Sequence, residues 1–192
     1  MTSLPDSEQL LAPGKLLVSA VELRDGVFDH AVVLMLDLDV DGALGLVLNQ
    51  VNELPLESVL PQWVPLVSEP ALLFRGGPVS PEGAICLASP SQPDEHPPGW
   101  RPVFDNIGLL HLDTPVEIVE GAYDDMRIFA GYAGWGPGQL QNELLAGMWH
   151  ICEVAYDDVF GRDQRQLWRR VLRRQAGELA WFATWPDDPD LN

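Results

Sequence analysis

Basic residues are scarce in this chain. Lysine and arginine together number 11 against 29 aspartates and glutamates, which leaves a net charge of −18 at pH 7 over 192 residues. A surface of that sign repels phosphate backbones and anionic headgroups, so it disfavours direct binding to nucleic acid or to a charged membrane. Its plain consequence is solubility. Cysteine is scarcer still. Cys86 and Cys152 stand far apart in apolar runs and form no C-x-x-C pair, so both are expected as small buried hydrophobes rather than as a disulfide, a nucleophile or metal ligands. The four histidines, His30, His96, His111 and His150, share no metal-ligand spacing. His111 and Asp113 are two apart and fit a local hydrogen bond better than a catalytic dyad. There is no G-x-S-x-G elbow. No apolar run reaches the length of a membrane span, and Met1 to Glu8 lacks the basic start and apolar core of a secretory signal. A cytoplasmic protein with no metal and no cofactor is the expectation.

Apolar residues are plentiful, at 46%, enough for a real core. One domain is expected over residues 13–185, after a disordered terminus at 1–12 and before a flexible acidic tail at 186–192. Short strands are predicted at Lys15–Ala20, His30–Leu36, Ala43–Asn49, Ala71–Phe74, Ala84–Ala88, Asn106–Leu112 and Met126–Ala130. The second is apolar throughout, so both its faces should be covered. Ser89–Pro102 holds five prolines and reads as a stiff loop, and Val116–Gly121 fits either helix or strand. Leu140, Leu144 and Met148 make a helical stripe from about Gln139. Trp149–Ala155 reads as a strand. A last helix is expected from about Gln164 to Gln175, capped by Asp163 and stopped by Gly177, with a final strand at Leu179–Thr184. Many strands with a few late helices, and no regular βαβ alternation, point to an α+β fold.

The densest stretch is Phe129 to Leu145. Gly131-Tyr132-Ala133-Gly134-Trp135-Gly136-Pro137-Gly138 places four glycines and two aromatics between a strand and a helix. It reads as a sharp turn, with Tyr132 and Trp135 wedged into the core. A glycine-rich turn at a helix start also suits an anion, although neither G-x-G-x-x-G nor a phosphate loop is present. Gln139 and Glu143 lie one helical turn apart and form a polar pair on one side. Gly76-Gly77-Pro78 and Asn49 mark two more corners at strand ends.

These segments together resemble the AlgH/YqgE family. The resemblance is carried by Gly14 to Ala20, Gly42 to Asn49, Gly76-Gly77-Pro78-Val79, and Gly131 to Leu140 with Glu143 after it, and it spans roughly residues 12 to 176. Gln50-Val51 after Asn49, and Leu87-Ala88 where a Leu-His pair is usual, depart from the family pattern. The resemblance implies an α+β domain whose strongly bent, mostly antiparallel sheet folds into a barrel-like shape with a few packed helices. It brings no catalytic residues, and it links some members to transcriptional regulation.

Three functional readings are open. The first is a non-catalytic binding or regulatory module, its site where Asn49, Gly76, Gly77, Pro78, Gly131, Tyr132, Trp135, Gly136, Gln139 and Glu143 converge. Its partner would be a small molecule or a protein. The second is an enzyme acting on a small anionic substrate at the Gly131–Gly138 turn. The third is a transcription-linked regulator. Six of the eleven basic residues lie between Arg162 and Arg174, and Arg162, Arg165, Arg169 and Arg173 fall on one helical face. That face is either a docking surface or a solvated one whose arginines pair with the protein's own acids.

Overall fold

The computed structural model describes residues 11–23 and 26–184. The described residues form ten strands in one curled sheet. They are β1 (Lys15–Ser19), β2 (Val32–Asp39), β3 (Gly42–Val47), β4 (Val51–Pro55), β5 (Leu72–Arg75), β6 (Val79–Pro90), β7 (Trp100–Phe104), β8 (Ile107–Leu110), β9 (Tyr123–Trp135) and β10 (Trp149–Glu153). The helices are short: α1 (Val116–Val119), α2 (Gln139–Leu145), α3 (Tyr156–Phe160), α4 (Leu167–Arg173) and α5 (Leu179–Phe182). The main path runs β10-β1-β2-β3-β9-β6-β8-β7, with β4 and β5 set beside it. All pairings are antiparallel except β5 on β9. The expected bent, mostly antiparallel α+β sheet is what forms.

Curling gives the sheet an inner face and an outer one. Leu16, Leu34, Leu46, Leu87 and Phe129 point inward and pack against Leu167, Trp168, Val171 and Leu172 of α4. α4 therefore plugs the half-barrel. The outer face is covered in two patches. Leu17, Val33, Met35 and Val47 lie under Leu140, Trp135 and Trp149. Cys86, Ala88, Met126 and Ile128 lie under Leu56, Trp63, Trp100 and Val119. β2 thus has both faces covered, as its unbroken apolar run requires. The cysteines are free and buried. Burial pushes the Cys86 thiol up to about 12 and the Cys152 thiol up to about 11.

Several local expectations need correcting. Trp100–Pro102, expected at the end of the proline loop, belongs to a strand, Trp100–Phe104. It lies at the end of the sheet, where Pro102 can pair opposite Gly108 without a missing N–H breaking an inner ladder. Val116–Val119 resolves as a helical turn. Leu179–Phe182 is helical, not a strand, and packs back on α4. α4 begins at Leu167, after Gln166 rather than Asp163. It ends at Arg173 with Arg174 as its cap, so left-handed Gly177 lies three residues past the cap and is not the stop the sequence suggested. Leu11 is buried in the Trp135–Trp149 patch, so the terminus is held from that residue onward. The rest of the expected disordered terminus, residues 1–10, and the acidic tail 186–192 lie outside the described residues.

Candidate functional site

The glycine-rich stretch is a strand with a left-handed kink in it, not a turn after a strand. β9 runs on to Trp135. Along it Met126, Ile128 and Ala130 face outward, while Arg127 and Phe129 face inward. Gly131 then adopts a left-handed φ of 69°, the β6 pairing slips opposite it, and the alternation skips one place. Tyr132 joins the inner core, and Ala133 and Trp135 join the outer one. The glycine supplies a backbone angle that few other residues adopt. The two aromatics therefore wedge into different cores. The turn itself is Gly136-Pro137-Gly138, and α2 starts at Gln139 as expected.

Two of the three corners, Gly76-Gly77 and Gly131, meet. The Gly76 N–H donates to the Ala130 carbonyl at 2.8 Å, and the Val47 N–H donates to the Gly76 carbonyl at 2.8 Å. A Cβ on Gly76 would collide with the Gly131 carbonyl oxygen, and one on Gly77 with the Tyr132 carbonyl. Pro78 comes next, at the step into β6. The Asn49 side chain accepts from the Val32 N–H at 2.8 Å and donates to the His30 carbonyl at 2.7 Å, tying the start of β2 to the end of β3. The convergence is backbone against backbone.

The polar pair is equally engaged. Trp135 Nε1 and Trp149 Nε1 both donate to Glu143 Oε2 at 2.8 Å. Gln139 Nε2 donates to Glu143 Oε1 at 3.0 Å, and the Gly136 N–H donates to Gln139 Oε1 at 3.1 Å. Phe28 stacks on Trp135 with centroids 6.2 Å apart and meets Trp149 edge-on at 5.4 Å. Glu143 is a brace holding two indoles, and both of its oxygens already accept hydrogen bonds.

The arginine face divides. Arg170 and Arg174, which the helical wheel did not single out, turn to the fully buried Asp158. Arg174 holds it with both terminal nitrogens, and the Ala155 N–H donates to it at 2.7 Å. Of the four residues on the expected face, Arg169 donates to the Ala183 carbonyl at 2.9 Å, and exposed Arg165 lies 3.8 Å from Glu53. Arg162 and Arg173 are exposed. Arg127, overlooked in the sequence, is buried on the inner face. It donates to the Val159, Phe160 and Glu69 carbonyls and lies 4.6 Å over the Phe74 ring. Burial pushes its guanidinium down to about 10, against the pull of Asp125.

Open space lies elsewhere, at the mouth of the half-barrel. A cleft of about 390 Å³ is bordered by β2 and β3 on one side and by β6, β7 and β8 on the other. Arg101, Leu109, Leu87 and Arg127 stand in one row across β7, β8, β6 and β9, so all four share the inner face. Leu87 and Arg127 are sealed, whereas Leu109 and Arg101 reach the cleft. Opposite them the β2 pairing slips between Met35 and Asp37. This bulge brings both Leu36 and Asp37 to the cleft, beside Leu44. Bulges at barrel rims commonly re-aim side chains in this way. His111 completes the rim, and it makes no hydrogen bond to Asp113. Arg101 and His111 reach no carboxylate among the described residues. The sequence carried no signal for this cleft, because neither a bulge nor a row across four strands is visible in a linear pattern.

Similarity to known proteins agrees with this architecture. The chain is 48% identical over 182 residues to a UPF0301 protein of Streptomyces avermitilis, covering 93% of this chain and 94% of that one. It is 43% identical over 194 residues to a UPF0301 protein of Thermobifida fusca, covering 96% and 98%. Among solved structures, protein DIP2367 of Corynebacterium diphtheriae matches with a TM-score of 0.86 at 27% identity, over 91% of this chain and 93% of that one. The AlgH protein of Pseudomonas aeruginosa shares the fold, with a TM-score of 0.67 at 22% identity over 98% and 100%. No helix among the described residues is long and apolar enough to cross a membrane. The AlgH-like family model matches residues 16–180, and the chain belongs to that family.

Proposed function

We propose that the protein is a non-catalytic, cytoplasmic binding module that holds a small ligand in the cleft at the barrel mouth. The observation that carries this reading is the cleft itself. Half-buried Leu44, Ile85 and Leu109 line it beneath an arginine with no carboxylate partner among the described residues. Ligand sites favour such places: concave, largely apolar, with a few polar groups, at the mouths of barrels. The glycine corners serve as the frame of the module, not as its contact surface. Against the enzyme reading stands the occupancy of Glu143, which already accepts from two indoles and Gln139. Both thiols are held protonated by burial, which removes them as nucleophiles. Against direct binding to DNA stands the net charge of −18.

Native mass spectrometry of the purified chain tests the proposal. A small molecule retained by the native protein should be lost from Leu109→Trp, whose larger ring fills the cleft, while circular dichroism stays unchanged. Retention of the same molecule by that variant would refute the placement.

A further inference from the structure

We infer that the ligand of this cleft is a small amphiphile: a short apolar chain carrying one anionic head, either carboxylate or phosphate. The inference rests on the cleft reading above and adds the chemistry of the occupant. Three observations support it. The volume of about 390 Å³ falls near the lower end of the range for ligand pockets, roughly 300–1,000 Å³, which suits one short chain rather than a cofactor. The lining is layered. Leu36, Leu44, Ile85 and Leu109 are buried or half-buried, whereas Asp37, Arg101 and His111 are exposed.

Charge at that rim is also uneven. Arg101 stands on β7 directly opposite Leu109, so its guanidinium projects from the same face as the apolar floor. His111 lies two residues beyond Leu109 on the same side of the cleft. Asp37 stands on the opposite side, brought there by the β2 bulge. An anionic head is drawn toward Arg101 and turned away from Asp37, which fixes the direction of the chain. Arginine suits this task because its planar fork matches carboxylate and phosphate oxygens. In a chain with 29 acidic residues, an arginine over an apolar cleft that reaches none of the described carboxylates is a specific placement.

The test is an NMR titration of the full chain with three probes: decanoate, decyl phosphate and decanol. The expected result is that decanoate or decyl phosphate perturbs the amides of Ile85 and Leu109, and binds at least tenfold more tightly than decanol. Which of the two binds more tightly distinguishes a carboxylate source from a phosphate source. Octanoate should bind more weakly than decanoate by about fourfold per methylene removed. Arg101→Gln should weaken the anionic probes about tenfold and leave decanol unchanged. Equal binding of decanol and decanoate, untouched by Arg101→Gln, would overturn the anionic head and leave the cleft reading intact. Perturbation centred on exposed Leu145 and Met148 would overturn the location for these probes. If none of the probes binds, the ligand class is wrong. The cleft reading then fails only if the native protein also retains no molecule that Leu109→Trp displaces.

Discussion

At the Gly76–Gly131 contact two ribbons touch so closely that a single methyl group would strike main-chain atoms. At the barrel mouth the same sheet leaves about 390 Å³ open between side chains. Both regions sit at a break in strand pairing: one opposite Gly131, where four β6 residues face a single residue of β9, the other a bulge between Met35 and Asp37 in β2. The left-handed kink at Gly131 turns Tyr132 inward and Trp135 outward, so each aromatic is swallowed by a core. The β2 bulge sets Leu36, which stays buried, beside exposed Asp37 at the cleft. One device therefore yields a joint in one place and a rim in another. The difference lies in the chain just beyond each break. After Gly131 the strand still pairs with β3, and α2 packs on β3 and β10 with Leu140 in the same cluster as Trp135. β2 beyond its bulge ends in a hairpin at Asp39–Gly42.

Gly77→Ala should give the largest effect. The added carbon meets the main chain of Tyr132 and Ala133, which cannot rotate away. A loss of about 4 kcal/mol or more is expected, at the extreme of single-site effects, and urea unfolding measures it. A loss under about 1 kcal/mol would mean that the ribbons can separate and that the joint is softer than drawn. Trp135→Ala comes next, at about 3–5 kcal/mol. It removes a ring that is 5% exposed, along with one of the two indole donors to Glu143. A stable Trp135→Ala chain that has lost its ligand would instead place function, not structure, at the glycine stretch.

That stretch drew attention in the sequence because rare residue types were concentrated there, and the concentration is real. Its meaning was harder to read. Glycines that admit a ligand and glycines that admit another backbone look identical in a linear string, and the partner here, Gly76-Gly77, lies more than fifty residues away. The strands came through where apolar runs were long, as in β2, and the helix at Gln139 came through from its stripe. Trp100–Phe104 was hidden by Pro102, tolerated only because β7 ends the sheet. The arginines that matter for the fold, Arg127, Arg170 and Arg174, were missed for a different reason. Their partners are carbonyls and one buried aspartate, Asp158, at positions that helical spacing does not reveal.

Glu143→Gln sharpens the comparison from inside the joint. The amide oxygen can still accept from the indoles, but the charge assistance is lost and an N–H₂ then faces the Gln139 donor. The expected cost is about 1–2 kcal/mol, read as a shift in the urea midpoint, with ligand retention unchanged. Loss of ligand without loss of stability would return Glu143 to the binding groups.

The smallest stability effect belongs to the open region. Arg101→Gln removes an exposed charge that has no carboxylate partner among the described residues, so stability should stay within about 0.5 kcal/mol of the parent. Its effect on binding should be large by comparison, about tenfold for an anionic probe, because the guanidinium is the cation directly opposite Leu109. The pair of measurements separates the two regions more cleanly than either alone. In the joint, each group is held by the fold and its removal is felt as stability. At the rim, a group that contributes nothing to stability is either idle or there to meet something else. Arg101→Gln with neither effect would make it idle, and the cleft would then be a gap left by the ending of β2.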